Sequence, residues 1–171
     1  LEFRRVLFRS RDGGRWKKVI EAKPAFVLIQ FGHNDMPGKG PNRETDPATT
    51  FPENMARFVK EARAAGAQPI LVTSLTRRIF KDGKIAGELK PWADATRKVA
   101  AEEKVPLVDL FARSVELHEK LGAEESDKFN PPAKDGKTDR THLNAKGAET
   151  IAKIIAEELR RVSPECAKLL R

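Results

Sequence analysis

Apolar and polar positions change period repeatedly along the chain. Trp16, Val19 and Ile20 fall on one helical face. Lys23-Pro24 closes that helix, because proline disfavours helical backbone in the residue before it. Ala25-Phe26-Val27-Leu28-Ile29-Gln30-Phe31 is a mostly apolar run, as expected of a parallel strand covered on both faces. A helix then starts at Phe51, with Thr50 as N-cap, Pro52 in its first turn, a core face of Met55, Phe58, Val59 and Ala62, and Gly66 as its stop. Gln68 to Ser74 predicts a second buried strand, and Asp82-Gly83 between Ile79-Phe80 and Ile85 predicts a short hairpin or lid-like loop. A third helix is expected over 92–103, a third strand over 105–110, and a fourth helix from Phe111 to Leu121 ended by Gly122. After a polar, irregular stretch to Thr141, Asn144 is placed to cap a last helix running to about Val162.

Helices alternating with strands imply an α/β fold: a parallel sheet with helices on both faces, in three α/β/α layers. Ligands of such sheets sit at the carboxyl ends of the strands. Gly32-His33-Asn34-Asp35 directly follows the first predicted strand, and the turn before the last helix is expected to reach the same edge. The polar loop 36–50 is longer than an ordinary connection, a length that often goes with function.

Residues 1–12 lack this regularity. They are expected to be a non-native or disordered segment joined to a single domain over 13–171. That segment has neither the long apolar core nor the small-residue cleavage site of a signal peptide, so localisation is left open. No apolar run is long enough to span a bilayer, and no membrane partner is expected. The single Cys166 excludes an intramolecular disulfide, while His33, His118 and His142 are too scattered to suggest a metal cluster; neither metal nor cofactor is expected. The net charge of +8 raises the possibility of nucleic acid. Arg4, Arg5, Arg9 and Arg11 against Glu2 account for +3 of it, and the rest is interleaved with Glu along helical stretches, the pattern of a solvated face. With no tyrosine and no basic run interleaved with aromatics, nucleic acid is not an expected partner.

The chemistry concentrates in two clusters. Asp139 and His142 lie three residues apart, a spacing at which a carboxylate can hold an imidazole, fix its tautomer and stabilise its protonated form, as a general base requires. Taken alone, the pair reads first as a polar loop capped by Asn144. Upstream, Gly32 permits a sharp turn and Asn34 offers an amide donor to a developing oxyanion, or merely satisfies its own turn. A serine-type esterase also needs a nucleophile. Ser10, Ser74, Ser114, Ser126 and Ser163 are available, and none sits in a Gly-x-Ser-x-Gly or Gly-Asp-Ser setting.

Phe31-Gly32-His33-Asn34-Asp35 resembles the third sequence block (Gly-x-Asn-Asp) of the SGNH, or GDSL, hydrolases, and Asp139-Arg140-Thr141-His142-Leu143 resembles their fifth, Asp-x-x-His. The resemblance runs over about residues 13–162 and is closest to the rhamnogalacturonan acetylesterase branch, with Arg15-Trp16-Lys17-Lys18 similar to the helix before the third block. It implies a flavodoxin-like sheet and assigns three roles: Asn34 as oxyanion donor, Asp139 as orienting acid and His142 as base. Gly32 and Asp35 support the motif. The family's nucleophilic serine and second oxyanion donor, a glycine, belong to earlier blocks that find no counterpart here. The resemblance therefore implies an esterase acting on acetylated carbohydrate, pectic polysaccharide above all, or on a small ester. It also leads to the expectation that the first strand is missing and that this chain alone is inactive. The competing reading is a relative that binds carbohydrate without cleaving it.

Overall fold

A computed structural model of the chain describes residues 14–40 and 43–170. The segment 1–12, Ser10 included, lies outside the described residues. The helices are α1 (Arg15–Glu21), α2 (Thr50–Ala64), α3 (Lys90–Glu102), α4 (Leu110–Asp127), α5 (Ala145–Val162) and α6 (Pro164–Ala167). The strands are β1 (Phe26–Gln30), β2 (Gln68–Val72), β3 (Phe80–Lys81), β4 (Lys84–Ile85) and β5 (Leu107–Val108). They group into two compact units: the described parts of Leu1–Ser74 with Leu89–Val108, and of Leu75–Glu88 with Asp109–Arg171.

The first unit carries a parallel sheet of order β1-β2-β5. Phe26 pairs with Gln68 and Gln30 with Val72, while Leu71 and Val72 pair with Leu107 and Val108. β2, the central strand, is buried on both faces from Pro69 to Val72, as its apolar run predicts. β1 is not: Val27 and Ile29 on one face are buried, whereas Phe26, Leu28 and Gln30, the alternate positions on the other face, are half-buried because that face is less fully covered. β5 is shorter than its apolar run. Pro106 has no N–H to give the ladder, and Asp109 already caps α4 by accepting from the Ala112 N–H at 3.3 Å.

Met55, Phe58, Val59 and Ala62 of α2 are fully buried, with Trp92, Ala95 and Val99 of α3 beside them in the same core. Trp16 of α1 stands edge-on to Phe58 at 4.7 Å between ring centroids, and Phe31 meets Phe58 at 5.1 Å. Val19 departs from the expected core stripe and is exposed, since seven residues of helix bury little beyond Trp16. The start of α2 also differs by one residue. Thr50 is inside the helix, and the entry is organised by Asp46, whose Oδ1 accepts from the N–H groups of Ala48 (2.6 Å) and Thr49 (3.1 Å) while its own N–H donates to Thr50 Oγ1 (2.9 Å).

In the second unit, Asp82 (φ 51°) and Gly83 (φ 76°) make the primed turn expected between β3 and β4. The hairpin is tied to α4 through Glu119, which accepts from Lys84 Nζ (2.9 Å) and from the Ile85 N–H (3.2 Å). Gly122 leaves helical geometry at φ 78°, ψ 173°, so the expected break is real, but helical turns resume at once and continue to Asp127. Asn144 caps α5 as predicted, its Oδ1 accepting from the Gly147 N–H at 2.9 Å.

Candidate active site

Immediately after β1 the chain turns on Gly32, at φ 128°. A side chain there is excluded twice, by the backbone angle and by space: a Cβ would lie 2.1 Å from Ser74 Oγ. Two hydrogen bonds close the turn, Asp35 N–H to Gly32 O (3.1 Å) and Gly32 N–H to Asp35 Oδ2 (2.9 Å). Asp35 also fastens the far side of the long polar loop, accepting at its carbonyl from the Thr45 N–H (2.9 Å) and at Oδ1 from the Thr45 hydroxyl (3.3 Å). It is completely buried, and burial pushes its carboxyl up to about 6 despite these donors. His33 and Asn34 sit half-buried within the turn that Asp35 holds.

In the other unit, Asp139 and His142 form a close pair. Asp139 Oδ2 lies 2.7 Å from His142 Nδ1, and Oδ1 accepts from the backbone N–H groups of Thr141 and His142, each at 2.9 Å. Desolvation raises the Asp139 carboxyl, but the hydrogen bonds from the His142 backbone and ring and from Thr141 outweigh it and hold the group at about 2. An ionised carboxylate can only accept, so the shared proton resides on Nδ1, and the neutral ring presents Nε2 as a lone-pair acceptor. The imidazole is 76% exposed, so this nitrogen is open to exchange a proton.

The loop bearing the pair is braced at both ends. Asn144 Nδ2 donates to the carbonyls of Lys128 (2.8 Å) and Asn130 (3.0 Å), and the Asn144 N–H donates to Phe129 O (2.9 Å). α5 can approach this closely because residue 147 is glycine; a Cβ would press on Leu143 Cδ2 at 3.0 Å and on Phe129 Cβ and O at 3.1 Å. Arg140 grips Asp127 in a two-pronged ion pair, Nε to Oδ1 at 2.9 Å and Nη2 to Oδ2 at 2.8 Å, which pulls the Asp127 carboxyl down.

Each expected oxyanion or dyad residue thus has a definite place: Gly32, Asn34 and Asp35 in a turn of the first unit, Asp139 and His142 on one turn of the second. Ser74, Ser114 and Ser126 are all buried and engaged. Ser74 donates to Phe31 O at 2.6 Å, Ser114 accepts from the Thr76 N–H (3.1 Å) and donates to Phe111 O (3.1 Å), and Ser126 lies 3.0 Å from His118 Nδ1. Ser163 precedes α6 at the protein's far end of sequence. Among the described residues no group of three or more His, Cys, Asp or Glu side chains could hold a metal ion, and no helix is long and apolar enough to cross a membrane. His118, which its sequence context does not mark as buried, is fully buried, and burial with Arg78 nearby lowers its ring to about 4; Arg78 is fully buried too. Nothing in the local sequence distinguishes Arg78 from the adjacent, less buried Arg77.

Comparison with known proteins agrees with the two motifs. The model of the GDSL-like lipase/acylhydrolase family matches residues 5–150. The chain is 38% identical over 157 residues to the rhamnogalacturonan acetylesterase RhgT of Bacillus subtilis, an alignment covering 85% of this chain and 66% of RhgT. It is 31% identical over 153 residues to the probable rhamnogalacturonan acetylesterase YesY of the same organism, covering 88% and 70%. Among solved structures, Bacillus subtilis YxiM superposes with a TM-score of 0.76 at 25% identity, over 92% of this chain and 43% of that one. Axe2, an acetylxylan esterase from Geobacillus stearothermophilus, shares the fold with a TM-score of 0.68 at 18% identity, over 91% and 68%. The chain therefore spans roughly two thirds of its acetylesterase relatives and under half of YxiM. With the two motifs in place and the family model matched over most of its length, the chain belongs to the GDSL-like lipase/acylhydrolase family.

Proposed function

We propose that the protein serves a serine-type acetylesterase that removes acetyl groups from carbohydrate, pectic polysaccharide being the favoured substrate. The observation that carries this reading is the 2.7 Å contact between an ionised Asp139 and His142 Nδ1, which leaves Nε2 poised to take a proton from a hydroxyl nucleophile. Asn34 supplies an amide donor for the oxyanion, a role that rests on its place in the Gly-x-Asn-Asp motif after β1. The substrate class rests on the relatives, which are named for rhamnogalacturonan and acetylxylan.

The nucleophile is proposed to come from outside these 171 residues: the hydroxyls of Ser74, Ser114 and Ser126 are buried and already bonded, Ser163 is buried as well, and Ser10 stands in no nucleophile motif. The decisive comparison is acetate release from acetylated rhamnogalacturonan and from p-nitrophenyl acetate. It would be made with the 171-residue chain and with the chain expressed together with the coding sequence upstream of Leu1. The short chain is expected to stay at the uncatalysed rate while the longer product turns over both substrates. Enzymatic turnover by the short chain would overturn the missing-nucleophile reading, and a longer product active on simple esters but not on acetylated polysaccharide would overturn the substrate assignment.

A further inference from the structure

Arg78 follows β2 at the start of the excursion that leads to the β3–β4 hairpin, and it is fully buried. A buried guanidinium is costly unless its donors are used. Here Nε and Nη2 are spent on the loop that carries the Asp139–His142 pair, while Nη1 is buried without a hydrogen-bond partner among the described residues. Nη2 donates to His142 O and to Asp139 O, the latter at 3.4 Å. Nε donates to Asn130 Oδ1 at 2.6 Å, and the Arg78 backbone N–H donates to Arg140 O at 3.0 Å. Asn130 in turn donates through Nδ2 to Asp127 Oδ1 at 2.8 Å, the same carboxylate that Arg140 grips. One side chain therefore fixes the backbone at the first and last residue of the dyad turn, and does so with carbonyl and amide acceptors. A lysine could not span these acceptors with one planar, forked group.

We propose that Arg78 is a positioning residue for the Asp139–His142 pair: by clamping the carbonyls of both residues it holds Asp139 Oδ2 on His142 Nδ1 and so selects the Nδ1–H tautomer. The inference rests on the functional reading above, and its consequence is a property of the ring that can be read without turnover. Loss of the clamp lets the turn relax, the carboxylate contact loosens, and the imidazole returns toward the Nε2–H form, which cannot act as a base at Nε2.

The test is long-range proton–nitrogen correlation NMR from the carbon-bound ring protons of His142, on the 171-residue chain above the histidine titration range. Four variants are compared with the unaltered chain: Arg78→Lys, Arg78→Met, Asn130→Ala and Asp139→Asn. The unaltered chain is expected to show Nδ1 protonated and Nε2 bare. Asp139→Asn, whose remaining oxygen is kept by the Thr141 and His142 N–H groups so that its NH2 faces Nδ1 as a donor, and both Arg78 variants are expected to lose that preference, with Asn130→Ala losing part of it. An unchanged tautomer in Asp139→Asn would overturn the dyad reading itself. A shift in Asp139→Asn with none in folded Arg78→Lys or Arg78→Met would overturn the positioning role alone. If neither Arg78 variant folds, an unchanged tautomer in Asn130→Ala overturns it. In an active form of the protein, Arg78→Lys is expected to lower kcat by up to about 10²-fold with KM unchanged, as loss of alignment does; a change confined to KM would contradict the proposal.

Discussion

Asp139 accepts from His142 twice, at Oδ2 from the ring Nδ1 (2.7 Å) and at Oδ1 from the backbone N–H (2.9 Å). The second bond makes the first geometric: with the main chain of residue 142 held on one oxygen, the ring has little choice but to meet the other. A capped polar loop could share the sequence Asp-x-x-His without this arrangement. The same carboxylate holding ring and main chain is what turns a common spacing into a credible base and its orienter.

Gly32→Ala tests the turn after β1. The backbone angle alone is worth about 1–3 kcal/mol against a non-glycine residue, and the clash with Ser74 Oγ adds to it. The variant is expected to show a clearly lowered urea midpoint. Gly32→Ala/Ser74→Ala should recover only the clash component, so its loss should be smaller than the sum of the two single losses. Strict additivity would show that the contact is not the cause.

Two buried groups give opposed pH dependences. Asp35 moves from 3.8 unfolded to about 6 folded, so its contribution is full below 3.8 and disappears as pH rises through 6. His118 moves from 6.5 to about 4, so its contribution is present above 6.5 and is lost as pH falls through 4. At about 1.4 kcal/mol per pKa unit each is on the order of 3 kcal/mol, and between pH 4 and 6 they nearly cancel. Urea midpoints of Asp35→Asn are therefore expected to rise steeply with pH over that range, and those of His118→Gln to fall. Parallel pH profiles for the two variants would contradict both assignments.

Asn144→Ala removes more than a helix cap. A lost N-cap costs about 1 kcal/mol, and here the two Nδ2 bonds to the carbonyls of Lys128 and Asn130 go with it. The expected destabilisation exceeds that of an ordinary cap. Hydrogen exchange should accelerate at Gly147 and Asn144 before it does in the middle of α5; uniform acceleration along the helix would argue against a local role.

Much of this was legible in residues whose local physics leaves one choice. The core face of α2, the Asp82-Gly83 turn, the Asn144 cap and the Asp139–His142 spacing all follow from short-range rules, and the structure has each of them. What was not legible depends on partners distant in sequence. Leu28 looks like part of a strand buried on both faces, yet its exposure depends on what covers its own face of β1. Asp35 reads as a motif residue, but its burial and its hold on Thr45 require the loop to fold back ten positions. Arg78 looks like any charged loop residue, because its acceptors lie 52 to 64 residues further on.

The central claim is that His142, held by Asp139, is the base of an ester hydrolysis. The most direct measurement is kcat/KM for p-nitrophenyl acetate with an active form of the protein and its His142→Ala and Asp139→Asn variants. The account predicts a loss of at least roughly 10³-fold for His142→Ala and a substantial but smaller loss for Asp139→Asn, with the fold intact by circular dichroism. Undiminished turnover in folded His142→Ala would contradict it.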